Sequence, residues 1–172
     1  TTLVHQLEAT VRLRGGSLIT GHCGEGEVQA PFAAWADVLA GIARTRAVER
    51  RDWYELPQLV PSLRAEGAAL QMRGNKYALF EEVVAYLREA ATQRPLVLLF
   101  DDAQWADPGT WELLEHVVPA LDDERLLLAI TVRSDAPAAT LQRVRRLGHN
   151  ARVHEIRLER LTRDETRQWL AA

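Results

Sequence analysis

The chain has 172 residues, 47% hydrophobic and 26% charged, which is the mix of an ordinary globular domain long enough to bury a core. That balance excludes a disordered tail, a collagen-like fibre and a disulfide-stapled mini-protein. Its 21 basic and 24 acidic residues leave a net charge of −3, too little positive charge for a segment built around a nucleic-acid backbone.

No apolar run approaches the about 20 residues that cross a membrane. The single cysteine, Cys23, allows no internal disulfide and points to a reducing, cytoplasmic setting. The chain opens on Thr1 with no signal-peptide pattern. It reads as one domain, residues 1–172, excerpted from a longer polypeptide.

In chain order, Leu3, Leu7 and Val11 recur at four-residue spacing and predict a helix over 2–13, stopped by Gly15-Gly16. A short strand over 17–20 and a loop over 21–31 come next, then a helix over 32–43 carrying Trp35, Leu39 and Ile42. Residues 44–75 are the least regular: Pro57 and Pro61 break any long helix, and the apolar residues from Trp53 to Leu63 suggest short packed turns. Phe80, Val83, Val84 and Leu87 keep a 3.6-residue period and predict a helix over 76–93.

The second half alternates more clearly. Leu96 to Phe100 is a continuous apolar run, as in strands of a parallel sheet covered on both faces, and it ends in Asp101-Asp102. Asp107-Pro108 opens a helix through Leu121. A second buried strand is predicted over 126–132, a helix over 137–147, and a third strand around Val153, Ile156 and Leu158. Thr162 with Glu165 forms a capping box for a last helix. Alternating strands and helices predict an α/β fold with a parallel sheet flanked by helices.

The most informative residues are Asp101 and Asp102. Ligands of open parallel sheets bind at the carboxyl ends of the strands. Two acids there have a chemical use: one can hold Mg²⁺ through oxygen, and the other can orient or deprotonate a water attacking a phosphate. The alternative is that Asp101 only ends a strand and Asp102 caps the next turn.

The stretch Asp101-Asp102-Ala103-Gln104-Trp105-Ala106-Asp107-Pro108 resembles the "DD-x-x-WADP" signature of the STAND-class signalling ATPases, also called the origin-recognition-like AAA ATPase domain. Those domains occur in large bacterial LuxR-type regulators and cyclase- or kinase-linked sensors. Segments 21–27, 30–35, 77–81, 130–135 and 161–165 resemble the same family, so the likeness covers nearly the whole chain.

The resemblance implies a three-layer P-loop NTPase sheet, ATP and Mg²⁺ as ligands, and a role in signalling or transcriptional regulation. It further implies that Asp101 holds the metal, Asp102 positions water, and Arg133 senses the terminal phosphate. Arginine forms fork-like bonds to phosphate and stays charged; Arg133 has Asp135 or Asp102 as alternative partners. The implied partners are the flanking sensor and output domains of the same polypeptide and a homo-oligomer formed on ATP binding. No membrane and no direct nucleic-acid contact are expected.

One part of the family pattern is missing: the phosphate loop G-x-x-x-x-G-K-[ST] does not occur, and Lys76 lacks its context. The resemblance places that loop and its preceding strand just upstream, which makes Thr1 the Mg²⁺-binding hydroxyl and puts Thr1 and Thr2 at the phosphate-facing end of the first helix. Alternatively both threonines simply cap it. Without its central strand the sheet is expected to be poorly stable, or its last strand to shift into the gap.

A degenerate interaction module that keeps the fold but not hydrolysis is the competing reading. A DNA-acting ATPase suits the fold but not the charge. Asp107 is expected to cap its helix, Cys23 to be a buried free thiol, and Trp105 to pack. Arg143, Arg145 and Arg146 make a short basic helix face. The five histidines show no metal-ligand spacing, and no G-x-S-x-G elbow is present.

Overall fold

A computed structural model describes residues 2–25, 30–45, 48, 53–64, 74–121, 123–150 and 152–171. Six α-helices are found among them: α1 (Thr2–Leu13), α2 (Ala33–Thr45), α3 (Lys76–Gln93), α4 (Pro108–Ala120), α5 (Ala138–Leu147) and α6 (Arg163–Ala171). Three strands, β1 (Ser17–His22), β2 (Leu96–Asp101) and β3 (Leu126–Ile130), form one parallel sheet in the order β1-β2-β3. The α/β parallel-sheet architecture is the one its sequence pattern predicts.

The register pairs Ser17 with Leu96 and His22 with Asp101 on one side of β2, and Leu96 with Leu126 and Phe100 with Ile130 on the other. All three strands therefore end together, with Asp101 level with the last residue of β1. Every residue of β2 from Leu96 to Phe100 is buried. Burial of that kind is worth about 1.5–3 kcal/mol per large apolar side chain, which explains why the central strand is the clearest apolar run in the sequence. Leu96, Leu98 and Phe100 enter the main core with Trp35 and Leu39 of α2, Val83 and Leu87 of α3, and Leu113 and Leu114 of α4.

Close approach of α2 to β1 depends on two glycines. A Cβ on Gly21 would lie 2.4 Å from the carbonyl oxygen of Ala34, and one on Gly41 would lie 2.5 Å from Cγ2 of Ile19. Helix α1 ends as its Gly-Gly pair predicts: Gly15 has φ +72 and the Gly16 N–H donates to the Val11 carbonyl at 2.9 Å. Asn75 caps α3 by accepting from the N–H groups of Tyr77 and Ala78. Glu82 of α3 accepts from three successive backbone N–H groups, Tyr54, Glu55 and Leu56, which seats the short turn at Leu56–Gln58 against that helix, while the turn at Pro61–Leu63 packs on α2.

Two expectations are corrected. The second strand is shorter than 126–132 and is only half-buried, with Leu127 54% exposed. The third strand does not form: residues 152–160 have no regular structure, and Ile156 and Leu158 are 79% and 75% exposed. The physical reason is pairing. β3 is the last strand of this sheet, and 152–160 do not pair with its free side, so that segment has apolar residues but no ladder and no covering layer. The last strand therefore does not shift inward either. Thr162 and Glu165 do form the reciprocal capping box of α6, with Thr162 N–H donating to Glu165 at 2.7 Å and Glu165 N–H to Thr162 Oγ1 at 3.3 Å.

Candidate functional site at the carboxyl end of the sheet

The chain leaves β2 through Asp102, which adopts the left-handed conformation, φ 55 and ψ 43. Aspartate tolerates that region better than most residues. The turn is held by β3's continuation: the Thr131 N–H donates to the Phe100 carbonyl at 3.0 Å, and the Ala103 N–H donates to the Thr131 carbonyl at 2.9 Å.

Side chains extend this scaffold into a relay. The Thr131 hydroxyl donates to Asp101 Oδ1 at 2.6 Å and accepts from the Asp102 N–H at 2.8 Å. Gln104, in the short turn Ala103–Trp105, donates from Nε2 to Asp102 Oδ1 at 2.9 Å. Its Oε1 accepts the Arg133 backbone N–H at 3.2 Å. Asp101, Asp102 and Arg133 are thus brought to one rim, linked by Thr131 and Gln104. Asp101 is half-buried, Asp102 exposed and Gln104 buried.

A third acid organises the wall. Asp107 accepts the Thr110 N–H at 3.0 Å, so it caps α4 as expected, and Pro108 occupies the first helical turn. The same Oδ1 accepts the Phe32 N–H at 3.1 Å across 75 residues of sequence. Phe32 has φ 63, an outlier for an aromatic residue. It fits because Gly109 leaves room for its ring and because that ring stands edge-on to Phe80. Trp35 adds a buried tie, donating from Nε1 to the Thr110 carbonyl at 3.1 Å and packing on Phe100.

Comparison with protein families decides what this rim belongs to. A family model described as an AAA ATPase domain matches residues 1–130. The chain belongs to the AAA ATPase domain family. It is a nucleotide-binding module of that class. Neither curated proteins nor solved structures returned a match. The matched residues of the AAA domain include both acids and Gln104 and stop at Ile130, short of Thr131 and Arg133.

The donor set of the AAA domain suits Mg²⁺. Asp101 offers carboxylate oxygen, its Oδ1 is fixed by Thr131, and its Oδ2 makes no hydrogen bond among the described residues. Mg²⁺ binds through one or two carboxylates and takes its other ligands from water and phosphate. Among the described residues no group of three or more His, Cys, Asp or Glu side chains forms a metal cage. Thr1 lies outside the described residues, and Thr2 is the first residue of α1.

Arg133 is not aimed at an open phosphate site. Its guanidinium forks onto Asp135, Nε to Oδ1 at 2.9 Å and Nη2 to Oδ2 at 3.0 Å. The hydrogen bond and charge of Asp135 hold Arg133 protonated even more firmly than usual, and Arg133 in turn pulls the Asp135 carboxyl below its ordinary range. Cys23 is buried, and burial together with the charges of Asp107, Asp101, Asp102 and Asp37 pushes its thiol up to about 12. It is an inert thiol.

Trp105 is 39% exposed, more than a packing residue requires. The basic face of α5 is partly engaged, with Arg143 and Arg146 both on Glu115 of α4. Sequence context does not single out Thr131 or Gln104. For Thr131 the available signal is a hydroxyl residue directly after an apolar strand. Gln104, a polar residue in a short turn, offers none. No helix among the described residues is long and apolar enough to cross a membrane.

Proposed function

We propose that this AAA domain is an ATP-dependent switch in a larger cytoplasmic bacterial regulator of the STAND class. It binds Mg-ATP, hydrolyses it slowly, and passes the nucleotide state to sensor and output domains of the same polypeptide. In this reading the phosphate loop precedes Thr1, whose hydroxyl joins Asp101 at the metal. Mg²⁺, when bound, draws charge from the phosphate oxygens. Asp101 holds the cation, Asp102 orients the attacking water, and Arg133 leaves Asp135 to meet the terminal phosphate. A bound phosphate that recruits such a residue biases a two-state element.

The observation that carries the proposal is the placement of Asp101 and Asp102 at the carboxyl end of the central strand, with Asp101 anchored by Thr131. A carboxylate held at one oxygen keeps the other in a fixed position for a cation. The fork of Arg133 on Asp135 favours the second reading, a module that keeps the fold for protein contacts and does not hydrolyse.

Calorimetry of the complete natural polypeptide with Mg-ATP separates the two. The switch predicts Mg-dependent binding that weakens in Asp101→Ala, and turnover that falls more than binding in Asp102→Asn. Absence of Mg-dependent binding hands the case to the interaction module. Unchanged turnover in Asp102→Asn removes that residue from the chemistry. The coding sequence immediately before Thr1 is an independent check, since the switch needs an apolar strand followed by a glycine-rich loop ending in lysine.

A further inference from the structure

We infer that Gln104 is a positioning residue that locks the carboxylate of Asp102 to the backbone of Arg133, so that the two respond as one unit. What it positions rests on the switch reading; the lock itself does not. Gln104 is 8% exposed, and its one carboxamide is used from both ends, donating to Asp102 Oδ1 and accepting from Arg133 N–H. Its two partners leave adjacent parallel strands, one after β2 and one after β3. Among the described residues no other side chain bonds to the Asp102 carboxylate.

The chemistry at this position requires an amide. A carboxylate could accept from Arg133 but would repel Asp102, and an apolar side chain would leave both groups without their partner. The backbone of Asp102 is independently pinned, because its N–H is bonded to Thr131. Gln104 therefore sets the side-chain torsion of Asp102 rather than the path of the chain. If Arg133 is drawn toward a phosphate, its N–H pulls on Gln104 Oε1, and Nε2 carries the displacement to the water-orienting carboxylate. A sensor and a hydrolytic group on separate loops thereby share one contact.

The test uses the complete natural polypeptide with Gln104→Leu, Gln104→Glu and Gln104→Asn, and reads two things. The first is the amide resonance of Arg133 by NMR. Neutralising the acid in Asp102→Asn should shift that resonance when Gln104 is present and leave it still when Gln104 is leucine. A shift that persists in the leucine background, or that never occurs, overturns the lock whether or not the protein hydrolyses ATP.

The second readout is the split between turnover and affinity. Gln104→Leu and Gln104→Glu should lower kcat by roughly tenfold or more, as expected when a reacting group is held off its productive orientation. The dissociation constant for a non-hydrolysable Mg-ATP analogue should stay within about twofold in the same variants. Gln104→Asn keeps the amide on a shorter stem and should recover part of the loss. Loss of affinity and turnover together, with a lowered melting temperature, marks a merely structural residue and overturns the positioning role. If the wild-type protein shows no Mg-ATP binding, the switch reading fails, and the Arg133 resonance alone decides the lock.

Discussion

The hydroxyl of Thr131 joins the two acids of the rim, donating to Asp101 Oδ1 at 2.6 Å while it accepts the Asp102 N–H at 2.8 Å. Valine has the same shape but neither function. Thr131→Val leaves the Asp102 N–H without its acceptor and the half-buried Asp101 carboxylate without its donor. The exposed position of Asp102 lets water repair part of this, so the expected loss is about 1–2 kcal/mol. Urea denaturation measures it, and Thr131→Ser should behave like the wild type. A valine variant as stable as the wild type would show that this hydroxyl carries no net weight.

Asp107 serves two elements at once, capping α4 through Thr110 and holding the Phe32 N–H. Removal of a helix cap typically costs about 1 kcal/mol. Here the acceptor for the Phe32 N–H goes with it, and that lost bond should add to the loss. Asp107→Ala is therefore expected to destabilise the fold by about 2–3 kcal/mol, with Asp107→Asn falling between. Thermal or chemical denaturation distinguishes this from a simple cap: a loss no larger than the about 1 kcal/mol of an ordinary cap would mean that the Phe32 contact contributes nothing.

Much of this architecture is legible in the sequence because it rests on local pattern. Helix α1 ends where its glycine pair places it, α3 spans the residues its 3.6-residue period predicts, and β2 is marked by five successive apolar residues before two acids. The misreading at residues 153–158 has a physical cause: β-branched and other apolar residues mark a segment able to form a strand but not the neighbour that completes its ladder. The link between Phe32 and Asp107 spans 75 positions, and the bridge through Gln104 depends on how two loops meet, so neither leaves a periodic trace. Arg133 is legible as a cation after a strand, with Asp135 and Asp102 as alternative partners, yet only the folded chain brings the four atoms of the fork together.

Hydrogen exchange tests the open end of the sheet. Amides of Leu96 to Phe100 lie in a central strand bonded on both sides and buried, and should exchange only by global opening. Amides from Ile156 to Arg160 belong to an exposed segment without ladder bonds, and should exchange within the dead time of manual mixing. Protection at Ile156 and Leu158 comparable to that at Leu98 would mean that the segment pairs in solution.

Cys23 gives a pH-dependent probe of the same rim. Its thiol is pushed from an ordinary 9.0 to about 12 by burial first and then by Asp107, Asp101, Asp102 and Asp37. Only the thiolate is nucleophilic, so at pH 8 the folded protein should react with iodoacetamide far more slowly than the urea-unfolded chain. The linkage has a definite sign. Above pH 9 the unfolded thiol releases a proton that the folded one keeps until about 12, so this group's contribution to stability is complete below 9 and declines as pH rises through that window. Equal labelling rates in folded and unfolded protein would place the thiol at the surface.

Asp135 competes with any phosphate for Arg133. The pair is well exposed, 61% and 69% at the side chains, so it should matter little for stability. Its consequence is in binding. Under the proposed switch, Arg133 must leave Asp135 before it can fork onto phosphate oxygens, and the cost of parting them is subtracted from nucleotide affinity. Asp135→Asn should therefore bind Mg-ATP more tightly than the wild type, and the gain should disappear when Arg133→Ala is added. Binding isotherms of the two single variants and the double variant close the cycle. A gain that survives the loss of Arg133 would assign the effect to general charge at the rim, and no gain at all would detach Arg133 from phosphate sensing.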